Sequence, residues 1–365
     1  MKIKIDIINE PFKDEEWDLF VASNGGSPYH LSAWSVIFNE LYGYKPLFFK
    51  AYGEGELKAV FPIFLMRTLL DKILSFPFFD YSGFVFKVGL SLSTRHKIAE
   101  KLTSVLRKLM KRERVKYARV MSLEGTGNRI LKEHGFNEDR RYKFATFIIR
   151  LSRNPEVMMK RLHSSARRAI RKARRSGIVT VRVGDEIGYE KGLNIFYDLY
   201  VRRLKEFGTP PLSKEFFKLL ISKFGPESIR IYIAALKGKP IATMWFHKFT
   251  GGLYYVFGAH LRQFRHLQPM SLILWTAIED AIKNGMQFVD LCRTHIGSGV
   301  FEFKRKWGGI MKRIHVYVLS NLASKPPYIY PDAPIFRCAT TLWRTLIPLT
   351  LSAVIGDKIR GLLGW

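Results

Sequence analysis

Residues 290–302 bring together side chains that can do acid–base chemistry. Asp290 ends an apolar stretch, His295 follows in a glycine-hinged loop, and Glu302 opens a basic and aromatic run. A carboxylate can accept the proton of an attacking amine, and placement of both partners supplies much of the catalysis in acyl transfer. These residue types are consistent with acyl transfer, while a strand-end cap for Asp290 and a satisfied loop histidine for His295 remain alternatives.

The surrounding pattern predicts the elements that position these residues. The β-branched and aromatic run 253–257 predicts a strand. Pro269 suits the first turn of a helix, Gly285 suits its end, and 286–291 predicts the next strand. Basic residues precede the helix, at a position where phosphates often bind; a solvated loop is the alternative reading. We assign them to substrate binding: Arg262, Arg265 and His266.

Residues 253–307 also carry a family resemblance, in YYVFGAH, LQPMSLILWTAIEDAIKNGMQFVDL and SGVFEFKRKWGG. These segments resemble the C-terminal half of the Fem family, the peptidoglycan interpeptide-bridge aminoacyltransferases and their FemAB-like relatives. The resemblance extends over most of residues 28–320. It implies an α/β fold with mixed sheets, built from two tandem GNAT-like acyltransferase domains.

The Phe-Lys pair near the end of the second domain lies at the reacting acyl group in that family, and the matching pair here is Phe303-Lys304. By this resemblance Lys304 would stabilise the oxyanion, and Phe303 would shape the acyl or ribose pocket. A solvated basic cluster with Arg305 and Lys306 is the alternative for Lys304. The expected catalytic set is Lys304, Phe303, Asp290 and Glu302, and the substrate-binding set further includes His295, Tyr255 and Trp307.

The sequence lacks the motifs that are typical of other reaction classes. The sequence has neither a G-x-S-x-G nucleophile elbow nor an H-E-x-x-H zinc helix. Its two cysteines, Cys292 and Cys338, support neither a disulfide framework nor a zinc site, so we predict no metal, no tightly bound cofactor and a reducing compartment. Cys292 lies in an apolar strand and is expected to be a buried thiol.

The net charge of the sequence predicts an anionic partner. Sixty Lys and Arg against 31 Asp and Glu give a formal net charge of +29, which favours RNA, a phosphate-rich substrate or an anionic membrane surface, with a generally basic proteome as the bland alternative. Residues 155–176 predict one long helix with an apolar stripe and a cationic face. The residues expected to contact RNA or phosphate are Arg167, Arg168, Arg171, Lys172, Arg174 and Arg175.

The acyl donor depends on the turn before the central helix. GNAT enzymes that use CoA carry a glycine-rich pyrophosphate turn at this position, whereas residues 262–268 contain no glycine. We therefore expect aminoacyl-tRNA as cosubstrate, with an envelope precursor, either a small molecule or lipid-linked, as acceptor. An acyl-CoA or other thioester donor is the second hypothesis, and a non-catalytic RNA- or membrane-binding protein is the third. The oligomeric state is left open.

The pattern predicts a first domain over 1–150, a second over 151–322, and a proline-containing linker with an amphipathic tail over 323–365. The apolar run 346–356 is too short to span a bilayer. It predicts a helix that lies in a membrane interface or, equally, docks on the core. The start of the chain lacks the apolar core of a signal peptide. We expect a cytoplasmic protein, peripheral at the inner face of the membrane if the tail binds lipid.

Overall fold

The structure is a computed structural model that describes residues 2–69, 71–77, 81–125, 127–321, 326–328 and 334–364, without the side chains of 334–337. The strands are β1 (Ile3–Ile8), β2 (Lys45–Gly53), β3 (Glu56–Arg67), β4 (Lys72–Ser75), β5 (Val85–Phe86), β6 (Tyr117–Leu123), β7 (Asn137–Glu138), β8 (Phe144–Arg150), β9 (Ile178–Arg182), β10 (Ile229–Leu236), β11 (Lys239–Phe249), β12 (Gly252–His260), β13 (Phe288–Asp290), β14 (Thr294–His295) and β15 (Ile310–Ser320).

The α-helices are α1 (Glu15–Ser23), α2 (Ala33–Tyr42), α3 (Leu92–Arg112), α4 (Asn128–Glu133), α5 (Pro155–Arg161), α6 (Ser164–Arg175), α7 (Tyr189–Phe207), α8 (Lys214–Phe224), α9 (Pro269–Lys283), α10 (Gly299–Arg305), α11 (Pro334–Leu346) and α12 (Leu349–Leu363). Short 3-10 helices cover Pro28–His30, Pro226–Ser228 and Arg262–Leu267. The chain divides into two compact units, one of residues 1–144, 313–330 and 358–365, the other of residues 145–312 and 331–357.

The first unit holds a mixed sheet in the order β1-β2-β3-β4-β6-β15. Strands β1 to β4 pair antiparallel, β4 and β6 pair parallel, and β15 closes the order antiparallel to β6. Buried side chains from the sheet and from α3 form its core, including Phe49, Phe61, Leu102, Leu106 and Tyr317. β2 and β3 are apolar and buried along most of their length, and because side chains alternate between the two faces of a strand, every second residue points to this core.

The sequence pattern assigns the last strand to a second domain ending at 322, with the first domain ending at 150. The structure differs, because β15 pairs with β6 from Ile314↔Leu123 to Ser320↔Tyr117, and residues 313–330 belong to the first unit. Local periodicity identifies a strand but carries no information about a partner nearly two hundred residues earlier in the chain.

The second unit holds a sheet in the order β8-β13-β12-β11-β10-β9. Strands β9 to β12 are antiparallel, while β12 and β13 pair parallel over only three residue pairs, from Gly252↔Phe288 to Tyr254↔Asp290. β12 then continues to His260 without β13 beside it, and a bulge at Val256 interrupts its pairing with β11. Beyond Tyr254, β12 therefore extends past the end of its parallel neighbour β13.

Helix α9 packs against the strands of this second sheet, as the pattern predicts. Pro269 is its first residue, and Gly285, with φ of +67°, follows its end. Leu272, Trp275 and Ile278 are buried in a core shared with β11 and β12. Proline has no N–H to lose in the first turn, and glycine adopts the left-handed conformation without strain, so both residues favour a helix of this length.

The basic stretch 155–176 forms two helices, so the prediction of one helix is wrong. Helix α5 ends before Leu162, whose ψ of 147° is extended, and the His163 side chain caps α6 by accepting a hydrogen bond from the Ser165 N–H. The apolar stripe is nevertheless buried as expected, at Met158, Leu162, Ala166, Ile170 and Ala173.

The C-terminal tail forms α11 and α12. Trp343 is buried, the Lys205 ammonium donates to the carbonyl oxygen of residue 343, and the Tyr197 hydroxyl donates to that of Ala353. The tail residues of the second unit thus dock on that unit, one of the two predicted alternatives. Most of the expected linker, 322–325 and 329–333, lies outside the described residues. None of the helices described is both long enough and apolar enough to cross a bilayer.

Candidate active site

A cavity of about 670 Å³ lies in the second unit where β12 extends beyond β13. Strand β12 contributes Tyr255, Gly258 and His260 to its wall. The remaining lining comes from the end of α7, from residues 265–271 at the turn and start of α9, and from residues 298–306, which include helix α10. Four residues predicted from sequence lie in this lining: Tyr255, Arg265, Glu302 and Phe303.

Lys304 does not line the cavity but lies close to it. Its side chain is buried, and its ammonium donates hydrogen bonds of 3.0 Å to the carbonyl oxygens of Cys292 and Arg293. The ammonium also lies 5.4 Å from the centre of the Tyr255 ring, which does line the cavity. In this arrangement Lys304 holds the turn after β13 and can influence the cavity through the Tyr255 ring.

Asp290 also supports this turn. Its buried carboxylate accepts a hydrogen bond from the Thr146 hydroxyl and one of 2.8 Å from the N–H of Cys292. Cys292 adopts φ of +56°, a left-handed backbone conformation that is unusual outside glycine, and its thiol is buried. We infer a positioning role for Asp290, because a carboxylate that accepts these hydrogen bonds away from the cavity is poorly placed to take a substrate proton.

The remaining predicted substrate residues lie apart from the cavity lining. Trp307 is buried in the core, His295 lies in the short strand β14, and His266 is exposed. Arg262 lines a separate cavity of about 1060 Å³, whose wall includes both acids and bases. The structure therefore brings about half of the predicted substrate-binding and catalytic residues to one place.

Sequence reasoning missed His260, the last residue of β12. It lines the cavity, and burial together with the nearby positive charges of Arg203 and Arg265 lowers its pKa to about 4. Its Nε2 atom has no hydrogen-bond partner among the described residues. At neutral pH His260 is thus an uncharged imidazole whose residue lines the cavity while its Nε2 atom is buried. The only sequence feature that could have identified His260 is its position at the end of a predicted strand, and many other residues share that feature.

Tyr255 contributes a protonated hydroxyl to the cavity. Burial raises the pKa of its phenol, so the hydroxyl can donate a hydrogen bond throughout the neutral range. The hydroxyl approaches Gly258 so closely that a Cβ atom at residue 258 would overlap it. Glycine at this position therefore shapes the wall of the cavity, a requirement that no motif in the sequence reveals.

Positive charge dominates the cavity lining. Arg203, Arg265 and Lys306 line it, and Glu302 is the one acid among the described lining residues. Glu302 pairs with Arg305 at 2.7 Å, which compensates part of its charge. The cavity is therefore suited to a negatively charged or strongly polarised substrate.

The turn before α9 has few free amides. Residues Arg262–Leu267 form a 3-10 helix, and the N–H groups of Phe264, Gln268 and Ser271 already donate to backbone carbonyls within the turn. Gln268 adopts φ of +63°, so this turn contains a left-handed residue without using glycine. A pyrophosphate group held by successive amides would find several of them engaged here.

The expected phosphate-binding residues on α6 fall into two groups. Arg167 is half-buried, and its guanidinium donates to the carbonyl oxygens of Lys160 and Leu162 at the end of α5. Arg174 is exposed and pairs loosely with Glu279. Helix α6 packs against α9 and the 3-10 helix that leads into the cavity. The remaining residues present an exposed cationic face on the opposite side of α6: Arg168, Arg171, Lys172 and Arg175.

This architecture, a mixed strand order in each unit and a cavity where β12 extends past β13, is that of tandem GNAT proteins. Residues 160–305 match the family described as acetyltransferase (GNAT) domain. A tandem GNAT protein from the clavulanic acid biosynthesis pathway superposes with a TM-score of 0.58 at 11% identity, over 89% of this chain and 100% of that one. The expected two-domain GNAT fold is confirmed, and these findings support an acyltransferase.

Two further solved structures share the fold. The crystal structure of FemX superposes with a TM-score of 0.67 at 15% identity, over 88% of this chain and 97% of that chain. L-PGS from Bacillus licheniformis superposes with a TM-score of 0.56 at 12% identity, over 92% of this chain and 98% of that chain. Comparison with curated protein sequences finds no match. At these identities the similarity describes the fold, in agreement with the Fem-like fold that the sequence resemblance implies.

Proposed function

We propose that the protein is an acyltransferase that moves an aminoacyl group from aminoacyl-tRNA to an amine of a cell-envelope precursor. The observation that carries this proposal is the exposed cationic face of α6, a helix whose opposite, apolar side packs beside the turn that leads into a cationic cavity. If α6 bound the phosphates of the tRNA, the aminoacylated end of the tRNA could enter the cavity. Contacts to the RNA backbone position a nucleic acid without reading its sequence.

The reaction requires no metal and no covalent enzyme intermediate. The acceptor amine attacks the ester carbonyl, the tetrahedral intermediate loses the amine proton, and the ribose oxygen leaves with a proton as the amide forms. Neutral His260, which lines the cavity, is our first candidate to accept the amine proton and return it to the leaving oxygen. The protonated Tyr255 hydroxyl and the Lys306 ammonium are candidates to stabilise the oxyanion.

In this proposal Lys304 keeps an essential role but exerts it indirectly. Its ammonium fixes the carbonyl groups of residues 292 and 293 and faces the Tyr255 ring. The acyl oxygen of a substrate in the cavity could approach the Lys304 ammonium only if the Tyr255 ring moved. We therefore treat Lys304 as a positioning residue and Glu302, which lines the cavity, as the second candidate for the proton acceptor.

An acyl-CoA donor is the alternative within the same fold. The three engaged amides of the turn and its lack of glycine argue against a pyrophosphate held there in the usual way. The family match of residues 160–305 to the acetyltransferase domain keeps this donor as the second candidate. If the protein instead binds RNA without catalysis, Lys304→Ala should leave its function intact, whereas charge reversal on α6 should abolish it.

Fluorescence anisotropy of a labelled acceptor-stem minihelix, aminoacylated or not, tests the donor directly. We expect the protein to prefer the aminoacylated RNA, and its affinity to fall by about an order of magnitude or more between low and physiological salt. The double variant Arg168→Glu/Arg171→Glu should weaken binding. Lys101→Glu/Lys108→Glu, which makes the same charge change at exposed positions of α3, should not.

The competing donor gives a different result in the same experiment. If the protein ignores the aminoacyl group and CoA or acetyl-CoA displaces the RNA, the thioester donor takes first place and the aminoacyl-tRNA proposal fails. Turnover of a generic amine with each donor then identifies the acyl group, since the two donors share the cavity but not the RNA contacts on α6.

A further inference from the structure

The C-terminal helices leave large apolar side chains in solvent although one side of each helix is docked. Exposed fractions are 54% for Leu342, 68% for Leu346, 42% for Leu351 and 69% for Val354. Such a concentration over a short segment is unusual, because isolated exposed apolar residues are common but clusters of them mark interaction sites.

Each helix presents these residues on one side. Leu342 and Leu346 are four residues apart on α11, and Leu351 and Val354 are three apart on α12, spacings that place side chains on the same face. The buried Trp343 lies beside this face on α11, and the buried Ser352 lies on the far side of α12. Docking of the buried faces therefore holds the apolar faces outward, and nothing among the described residues covers them.

The charge around these faces matches an anionic surface. Lys358 is exposed and follows Val354 on the same face of α12, whereas Arg344 is exposed on the side of α11 away from Leu342 and Leu346. Asp357 is the single acid between residues 334 and 364, and it is half-buried. A second copy of this chain would bring a net charge of +29 against an identical cationic tail, so charge disfavours self-association through it.

We propose that α11 and α12 form an interfacial membrane anchor that rests on anionic lipid. The apolar residues Leu342, Leu346, Leu351 and Val354 insert among the acyl chains, while Lys358 contacts the headgroups and the net positive charge of residues 334–364 favours an anionic surface. Neither helix crosses the bilayer, since α12, the longer of the two, has 15 residues. This inference is independent of the acyl donor, because it uses none of the residues of the cavity or of α6.

Vesicle flotation with the full-length protein tests the anchor. We compare vesicles of phosphatidylcholine with vesicles of phosphatidylcholine mixed with phosphatidylglycerol, using the wild-type protein and Leu351→Asp/Val354→Asp. The control is Leu19→Asp/Val88→Asp, which makes the same chemical change at residues that are 66% and 69% exposed in the first unit. We expect binding to the mixed vesicles only, and a loss of roughly tenfold or more in the tail variant but not in the control.

Two results would overturn the proposal. Equal binding by the tail variant and the wild type would show that another cationic surface, such as α6, holds the vesicles. Sedimentation velocity supplies the second: a concentration-dependent dimer that disappears in the tail variant would assign these faces to a second copy. Circular dichroism of both variants establishes that they are folded, as expected for substitutions at exposed positions.

Discussion

His260 is a residue whose environment, rather than its type, gives it a chemical role. A histidine on the surface would be partly charged near neutrality, whereas burial and two neighbouring arginines keep this one neutral, with a pKa of about 4. A neutral imidazole can accept a proton from an amine, and its low pKa makes it a weaker base than an ordinary histidine but one that releases the proton readily to the leaving oxygen.

Replacement of His260 by Asn tests this role. We expect His260→Asn to lower the turnover number by about 10²-fold, the usual contribution of general acid–base catalysis, with little change in melting temperature. Steady-state kinetics with the donor identified by the binding experiment measures the effect. His266→Asn is the matched control, since His266 is exposed and outside the cavity. Wild-type turnover in His260→Asn would transfer the proton-acceptor role to Glu302.

Cys292 allows a second prediction at this scale. Its thiol is buried and lies 3.7 Å from the carbonyl oxygen of Asp290, so it is placed to pack and not to attack. Cys292→Ala should retain turnover within about twofold, with a modest loss of stability, because a small cavity replaces the sulfur. A loss of activity on the order of a hundredfold, with the fold intact, would identify Cys292 as a nucleophile.

The sequence identified several site residues but not their contacts. The Phe303-Lys304 pair stands out by resemblance, and three other predicted residues, Tyr255, Arg265 and Glu302, line the same cavity. Local patterns could not show that the Lys304 ammonium binds two backbone carbonyls, because those contacts depend on how the turn after β13 folds back. The same limit explains why His260 was missed.

Helices α5 and α6 show how tertiary contacts interrupt a helical pattern. The apolar spacing from Met158 to Ala173 correctly predicts which residues face the core. The break at residue 162 was not predictable, because Leu, His and Ser carry no strong stop signal and histidine is an uncommon N-cap. Arg167 completes the break by donating to two carbonyl groups at the end of α5.

This junction gives a prediction with an internal control. Arg167→Ala should lower the free energy of unfolding by about 1–2 kcal/mol, because it leaves the carbonyl groups of Lys160 and Leu162 without that donor. Arg168→Ala, on the exposed face of the same helix, should change it by less than about 0.5 kcal/mol and should instead weaken RNA binding. Urea denaturation and anisotropy separate the two effects, and equal stability losses would contradict the assignment.

The whole molecule should lose stability as the solution is acidified. Burial lowers the pKa of His30 and His260 to about 4 and that of His247 to about 3, whereas an unfolded histidine titrates near pH 6.5. Between these values the unfolded chain binds more protons than the folded one. The stability contribution of these groups is therefore fully present above about pH 6.5 and is lost as the pH falls towards 4.

Thermal and urea unfolding at pH values spanning this window measures the effect. A histidine shifted as far as His30 contributes up to about 3 kcal/mol of pH-dependent stability. His247→Gln should flatten the profile because it removes one titrating group, while His266→Gln, at an exposed position, should leave the slope unchanged. A pH-independent midpoint in the wild-type protein would show that these imidazoles reach solvent.

The pairing of β15 with β6 has a consequence for synthesis on the ribosome. Residues 117–123 leave the exit tunnel long before their neighbour at 314–320, and all of α5 to α10 is made in between. The first unit must therefore wait, with a bare strand edge, until the later unit has emerged, which exposes the nascent chain to aggregation and to chaperones. A fragment ending at residue 150 would retain that bare edge permanently, so gene fusions and truncations at this boundary should yield insoluble protein.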